Sequence, residues 1–390
     1  MPHKFGDIAC IKAQRLPGES PALTFERILE NYKKGVDTQL IPDSNVIIDM
    51  IDAVGRDDQL RTRKARARLG PLIDFLLECS RRGLIYYFSP MFGLDEMKRG
   101  EAIDGIPLLD KFSRQFGLGW NDARPGHPIP VELGVVEANR SFSKLDIDRQ
   151  LLVSLPFGAL LLALVVGRDL SSATPLAKFR HFLRLYHRMI DIVSIREITI
   201  ARFIFAPPAA DDSPIKAVQG NIVRNFARER KRDDRWPETY AQLDRIALNG
   251  AFDLHLLNAA ISADHTGVDG RPVDTWILSA DFKLAALTDA LHHSSMGNDH
   301  ISKYVVTQDY RGYGDYWLQT NQDIQDLNQR FRVDLKPSIV RQRARAFGVL
   351  ALAEQGLRGD RPVQGVRLRH ATFPWDGEDR PGVLVLPPFC

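Results

Sequence analysis

Acidic residues stand at comparable places along this chain, each beside a short apolar run. Asp43 follows Leu40, Ile41 and Pro42, with Asn45 two positions on and an apolar pattern of Val46, Ile47, Met50, Ile51 and Val54 behind it. Glu96, with Asp95 beside it, falls in the first turns of a helix expected after the strand-like run LIYYF at Leu84 to Phe88. Asp253 lies near the start of AFDLHLLNAAISA, and Asp281 directly follows TWILSA, with Ser279 two positions earlier. Carboxylates brought together in apolar surroundings repel one another and rise in pKa unless a cation neutralises them. An all-oxygen donor set suits Mg²⁺ or Mn²⁺ rather than Zn²⁺. An ion held that way binds a phosphodiester oxygen and acidifies the attacking water, and two ions roughly 3.5–4 Å apart also stabilise the leaving oxygen. These residue types point to phosphodiester hydrolysis.

For that chemistry the acids must share one edge of the fold. Helices alternating with short apolar strands predict an α/β protein with a mostly parallel central sheet flanked by helices. The strand C-termini of such a sheet lie along one edge, where ligand groups collect. Asp43, Glu96 and Asp281 would converge there, with Asp253 reaching in from its helix. Strands are expected at Leu40, Leu84 to Phe88, Thr275 to Ala280 and Tyr304 to Thr307. The helix after Asp43 should end at Gly55, and Gly83 reads as a C-cap. Residues 1–37 form a lead-in, 38–111 the first part of the core and 244–320 its second part. Between them, 112–243 read as a large helical insertion, including an amphipathic basic helix with Phe179, Phe182, Leu183, Tyr186 and Ile190 on one face. A C-terminal helical and irregular extension covers 321–390, interrupted at Pro337.

Composition bounds the class. A chain of 390 residues, 44% hydrophobic, can bury one large core or two modest ones. Its formal net charge of +3 gives no global pull on nucleic acid, so basic surfaces must be local. Cys10, Cys79 and Cys390 are odd in number and lack metal-ligand spacing, which fits reduced thiols in a cytoplasmic protein. The N-terminus lacks the apolar core and small-residue site of a secretory signal. The apolar run Leu151 to Val166 falls short of the roughly 20 residues of a spanning helix and contains Pro156 and Gly158. It is expected as a buried helix, with no membrane as partner.

In this order the motifs resemble those of the PIN-domain nucleases. That family's strand, D-x-N and apolar helix are matched by LIPDSNVII at Leu40 to Ile48. Its second motif, a Glu with an apolar neighbour and a Gly four positions on, is matched by Glu96, Met97 and Gly100. Asp253 with Ala259 and Ala260 matches the Asp that opens an Ala-containing helix, and Ser279 with Asp281 matches a strand ending in T/S-x-D. The ordered agreement carries the resemblance, since each motif alone is common. It covers about Thr38 to Lys111 and Asp244 to Asp309. It implies a PIN-like fold and a metal-dependent nuclease, an endoribonuclease, in which Asp43, Glu96, Asp253 and Asp281 hold Mg²⁺ or Mn²⁺ and act in catalysis. Asn45 and Ser279 would support them. The chain departs from the pattern in its long gap before the third acid and in the extra loop HTGVDGRPVD, which makes Asp264, Asp269 and Asp274 rivals for that position. Asp95 is a rival for Glu96.

Each acid also has a plain reading: Asp43 and Asp281 as helix caps, Glu96 and Asp253 as acids near helix N-termini. Basic stretches supply a route for a phosphate backbone beside an edge that would otherwise repel it, with Arg63, Lys64, Arg66, Arg228, Arg230 and Lys231 as candidate nucleic-acid contacts. Few aromatics interleave with them, which favours backbone contact over base stacking. RNA is the expected partner, DNA the other polynucleotide to test, and the insertion is a surface for a protein partner or a second copy. The rival functions are an inactive PIN-like scaffold that binds nucleic acid or protein, and a phosphohydrolase acting on small phosphate esters.

Overall fold

The computed structural model describes residues 3–356 apart from 16–18, 56–58, 119–133, 135–140, 191, 193, 212, 229–235, 269, 297–301, 307–309 and 332–337. The described residues lie within one compact unit. In chain order the elements are β1 (His3–Phe5), β2 (Ile8–Ile11), α1 (Phe25–Lys33), β3 (Asp37–Pro42), α2 (Ser44–Gly55), α3 (Gln59–Arg81), β4 (Tyr86–Phe88), α4 (Met91–Asp95) and α5 (Arg99–Phe116). There follow α6 (Ile147–Asp169), α7 (Pro175–Met189), α8 (Ile195–Phe205), α9 (Ile215–Phe226), α10 (Tyr240–Thr266), β5 (Val273–Ser279), α11 (Phe282–Ala290), β6 (Leu291–Met296), β7 (Ser302–Val306), α12 (Asp315–Phe331) and α13 (Ile339–Gln355).

Five strands form one sheet in the order β1-β2-β5-β3-β4. Strand β3, between β5 and β4, is parallel to both, whereas β2 is antiparallel to β5 and β1 to β2. The sheet is therefore mixed, which corrects the expectation of a mostly parallel one. The N-terminal lead-in is responsible: it supplies two strands where the sequence predicts an edge-packing segment. Three- and four-residue strands, HKF and IACI, are too short to show a period of two. The strand expected at Tyr304 to Thr307 exists as β7, but it pairs with β6 in a separate antiparallel ribbon.

Side chains alternate across the sheet and divide the interior into two cores. Ile8, Cys10, Leu40, Trp276 and Leu278 face α2, α3 and α5, while Ala9, Ile11, Ile41 and Ile277 face α6, α7, α8 and α9 together with α10 and α13. This is the period-two geometry of a strand buried on both faces. On the second side lies α6, 23 residues long and 83% buried over its apolar window. It is the one described helix long and apolar enough to cross a membrane, and here it is packed against α10 and α13 as a core helix.

Asp253 is not near the start of its helix, contrary to the expectation from its sequence context. The helix begins at Tyr240, set by a reciprocal capping box between Thr239 and Gln242, and its apolar positions Leu243, Ile246 and Ala247 run on past Gly250. The chain therefore enters the second part of the core already helical.

A candidate acidic centre at the strand ends

The register of β3 against β5 places the first and fourth acids. Pro42 pairs with Leu278, so the next residues, Asp43 and Ser279, leave the sheet side by side at its C-terminal edge. Asp43 is 6% exposed and is itself the cap of α2: one carboxylate oxygen accepts from the Val46 amide at 2.8 Å. The other accepts from the Ser279 hydroxyl, and that same hydroxyl accepts from the Asp281 amide at 2.8 Å. The capping role and the candidate ligand role thus belong to one residue. Burial lifts the Asp43 carboxyl to about 6, against the hydrogen bonds from Ser279, the Val46 amide and Asn45, and the nearby charge of Asp281 adds to the rise. Asn45 and Ser279 are both hydrogen-bonded to the Asp43 carboxylate.

Glu96 stands at the C-cap of α4, half-buried. That helix lies directly on the end of β3, because Gly93 has no side chain: a Cβ there would sit 2.6 Å from the Pro42 carbonyl oxygen and 3.0 Å from the Asp43 carbonyl carbon. Glu96, three residues further, is therefore at the same end of the sheet. Its rival Asp95 is committed elsewhere, held by the forked guanidinium of Arg149 on α6, with one bond at 3.1 Å. Arg149 also grips Asp146, the N-cap of its own helix. Nothing in the sequence links Arg149 to Asp95, 54 positions away, and sequence reasoning misses this pair. His255 on α10 lies in the same surroundings: burial lowers it to about 4, the Asp95 charge opposes that shift and the Arg196 charge adds to it.

Asp253 is half-buried and accepts from the Asn225 amide of α9 at 3.2 Å. Asp264, eleven positions later, is bonded to the Thr275 amide at 2.6 Å. Asp253 is held from the α9 side and does not gather with Asp43 and Asp281 into a group of three acids, which corrects the expected convergence of the four. Its rivals sit at the opposite edge. Asp264 and Asp274 share Lys12, and Asp274 also accepts from Arg27, Asn31 and the Trp276 indole. Burial pushes Asp274 up, but Lys12 and Arg27 outweigh it and hold the carboxyl below its ordinary range. The remaining rival, Asp269, lies outside the described residues.

The candidate nucleic-acid contacts divide. Arg66 donates to the Ala53 carbonyl at 2.9 Å, while Thr62 and Lys111 reach the carbonyls of Asp52 and Val54. Together they satisfy the last carbonyls of α2, where cations suit the helix dipole. Arg63 and Lys64 are exposed and make no ion pair among the described residues. Arg228 is half-buried, its guanidinium 5.6 Å from the centre of the Trp236 ring. Arg230 and Lys231 lie outside the described residues.

Among the described residues no group of three or more His, Cys, Asp or Glu side chains is gathered to hold a metal ion. What the strand ends bring together is a pair, Asp43 and Asp281, bridged by Ser279. A pair of carboxylates fits Mg²⁺, which keeps several waters and completes its shell with substrate phosphate rather than with an all-protein cage. Comparison of the chain with protein families, curated proteins and solved structures finds no match.

Proposed function

We propose that this protein is a metal-dependent nuclease of PIN-like architecture, an endoribonuclease using Mg²⁺ or Mn²⁺ at the C-terminal edge of its sheet. The observation that carries the reading is the Asp43–Ser279–Asp281 bridge across the ends of two adjacent parallel strands. In this reading Asp43 and Asp281 are the anchoring carboxylates, and Glu96, just past α4, and Asp253 on α10 act with them only once substrate and ion are bound. Ser279 orients Asp43, since its own oxygen is turned toward the Asp281 amide and its hydrogen toward the carboxylate. When bound, the divalent ion supplies Lewis acidity to the phosphodiester and to the attacking water. Asp43 must give up its proton to act as an anchor, so the site is armed above the raised pKa of that carboxyl. The buried free thiols Cys10 and Cys79 accord with a cytoplasmic setting.

Purified protein with Mn²⁺ is expected to cleave RNA internally, and Asp43→Asn is not. Equal cleavage by the two proteins ends the proposal. The absence of a three-carboxylate group among the described residues favours a second reading, a scaffold that binds nucleic acid without cutting it. Calorimetric titration with Mn²⁺ separates the two: a scaffold shows the same heat for wild type and for Asp43→Asn/Asp281→Asn. Turnover of nucleotides but not of polynucleotides would instead indicate a small-molecule phosphohydrolase.

A further inference from the structure

The helical insertion contains a cavity of about 220 Å³ where the end of α6, the start of α7 and the end of α8 meet. Its walls include Gly167, Phe205, Pro207, Pro208 and Trp236, with Lys178 the one ionisable residue lining it among the described residues. These walls are fixed. The Trp236 indole donates to the Leu164 carbonyl at 3.0 Å, which uses its polar atom. Its ring lies on Gly167, where an added Cβ would come within 1.9 Å of it, so only glycine leaves room. Two successive prolines stiffen the opposite side. Lys178 donates to the Ser171 carbonyl at 3.0 Å and has no carboxylate partner among the described residues. Partial burial lowers its pKa.

An apolar cavity of about 150 Å³ is large enough to take benzene, so this one takes a single ring with a small head group. We infer that it is a binding site for a one-ring aromatic monocarboxylate, with the ring against Trp236, Phe205 and the prolines and the carboxylate on Lys178. The apolar walls select the body, and the lone ammonium selects one negative charge. This site is separate from the acidic edge and does not depend on the nuclease reading.

The test uses the full chain and three probes in calorimetry and ligand-observed NMR: benzoate, benzyl alcohol and acetate. Benzoate is expected to bind at least about tenfold more tightly than benzyl alcohol, the least that a charge-assisted bond contributes, and acetate is expected not to bind. Lys178→Met should remove the preference for benzoate while leaving benzyl alcohol unchanged. Ala206→Leu, which fills the cavity from another wall, should abolish both. Failure of benzoate to bind the wild type overturns the inference, as does unaltered benzoate binding in either variant with a native circular dichroism spectrum. Acetate binding as well as benzoate would show a surface anion site rather than this cavity and would overturn it too.

Discussion

Asp43 carries opposed demands. It caps α2 and accepts from Ser279, both of which favour its charged form, yet burial and Asp281 hold its carboxyl at about 6 against an ordinary 3.8. A raised carboxyl pKa means that the folded state binds the proton more tightly than the unfolded chain does. Its contribution to stability is present below the unfolded pKa and is lost as pH rises through about 6. Asp43→Asn keeps an oxygen for the Val46 amide and removes the buried charge, so it should stabilise the protein at pH 8 by up to about 3 kcal/mol. Urea unfolding of both proteins from pH 3 to 8 checks this: the gap should open between pH 4 and 6, and a constant gap would show that desolvation of Asp43 is not its source. Affinity for Mn²⁺ should strengthen over the same window, because the proton competes for Asp43. At this scale the sequence is informative where the motif is local. Asp43, Asn45, Ser279 and Asp281 lie within a few residues of strand ends and are found together. Arg149 is invisible because its partner Asp95 belongs to another element and no spacing connects them.

Among the elements, α4 depends on a single atom's absence. Gly93→Ala would drive a methyl into the Pro42 carbonyl and Ile47, at 2.6 and 2.9 Å, and backbone cannot step aside as a flexible side chain can. The expected loss is about 1–3 kcal/mol in urea unfolding, and Mn²⁺ affinity should fall with it as Glu96 moves away from the strand end. A variant of wild-type stability would mean that α4 is not seated as described. The short helix is further tied by Arg149, so the insertion is joined by an ion pair to the helix that bears a candidate acid. Long elements are legible where the apolar pattern is strong: α2 and α7 show helical spacing, and α6 is expected as a buried helix from its continuous apolar run. The start of α10 is not: its apolar pattern continues through Gly250, and only the Thr239 capping box marks where it begins. Strands β1 and β2 escape notice for the opposite reason, too few residues to establish a period.

For the whole molecule, a net charge of +3 leaves attraction of a polyanion to particular free cations. Arg63 and Lys64 are such cations, whereas Arg61, Arg66 and Arg68 on the same helix are spent on Asp52, Ala53 and Asp49. Replacing Arg63 and Lys64 with Ala should leave stability within about 0.5 kcal/mol. It should flatten the dependence of RNA affinity on salt, by about 0.7 in log–log slope for each phosphate no longer neutralised on a single strand. An unchanged slope would remove α3 from the binding surface. The mixed sheet, finally, has a consequence in time. Strand β2 at Ile8–Ile11 borders β5 at Ile277 to Ser279, so the first hairpin made has no neighbour until some 270 residues later in the chain have been synthesised. At about 5–20 residues per second that wait is on the order of 15–50 s. For all of it β2 presents an unpaired edge, and Asp43 waits for Ser279 across 236 positions of sequence. The nascent chain therefore passes through most of its synthesis without the candidate acidic centre, which comes into being in the same event that closes the sheet.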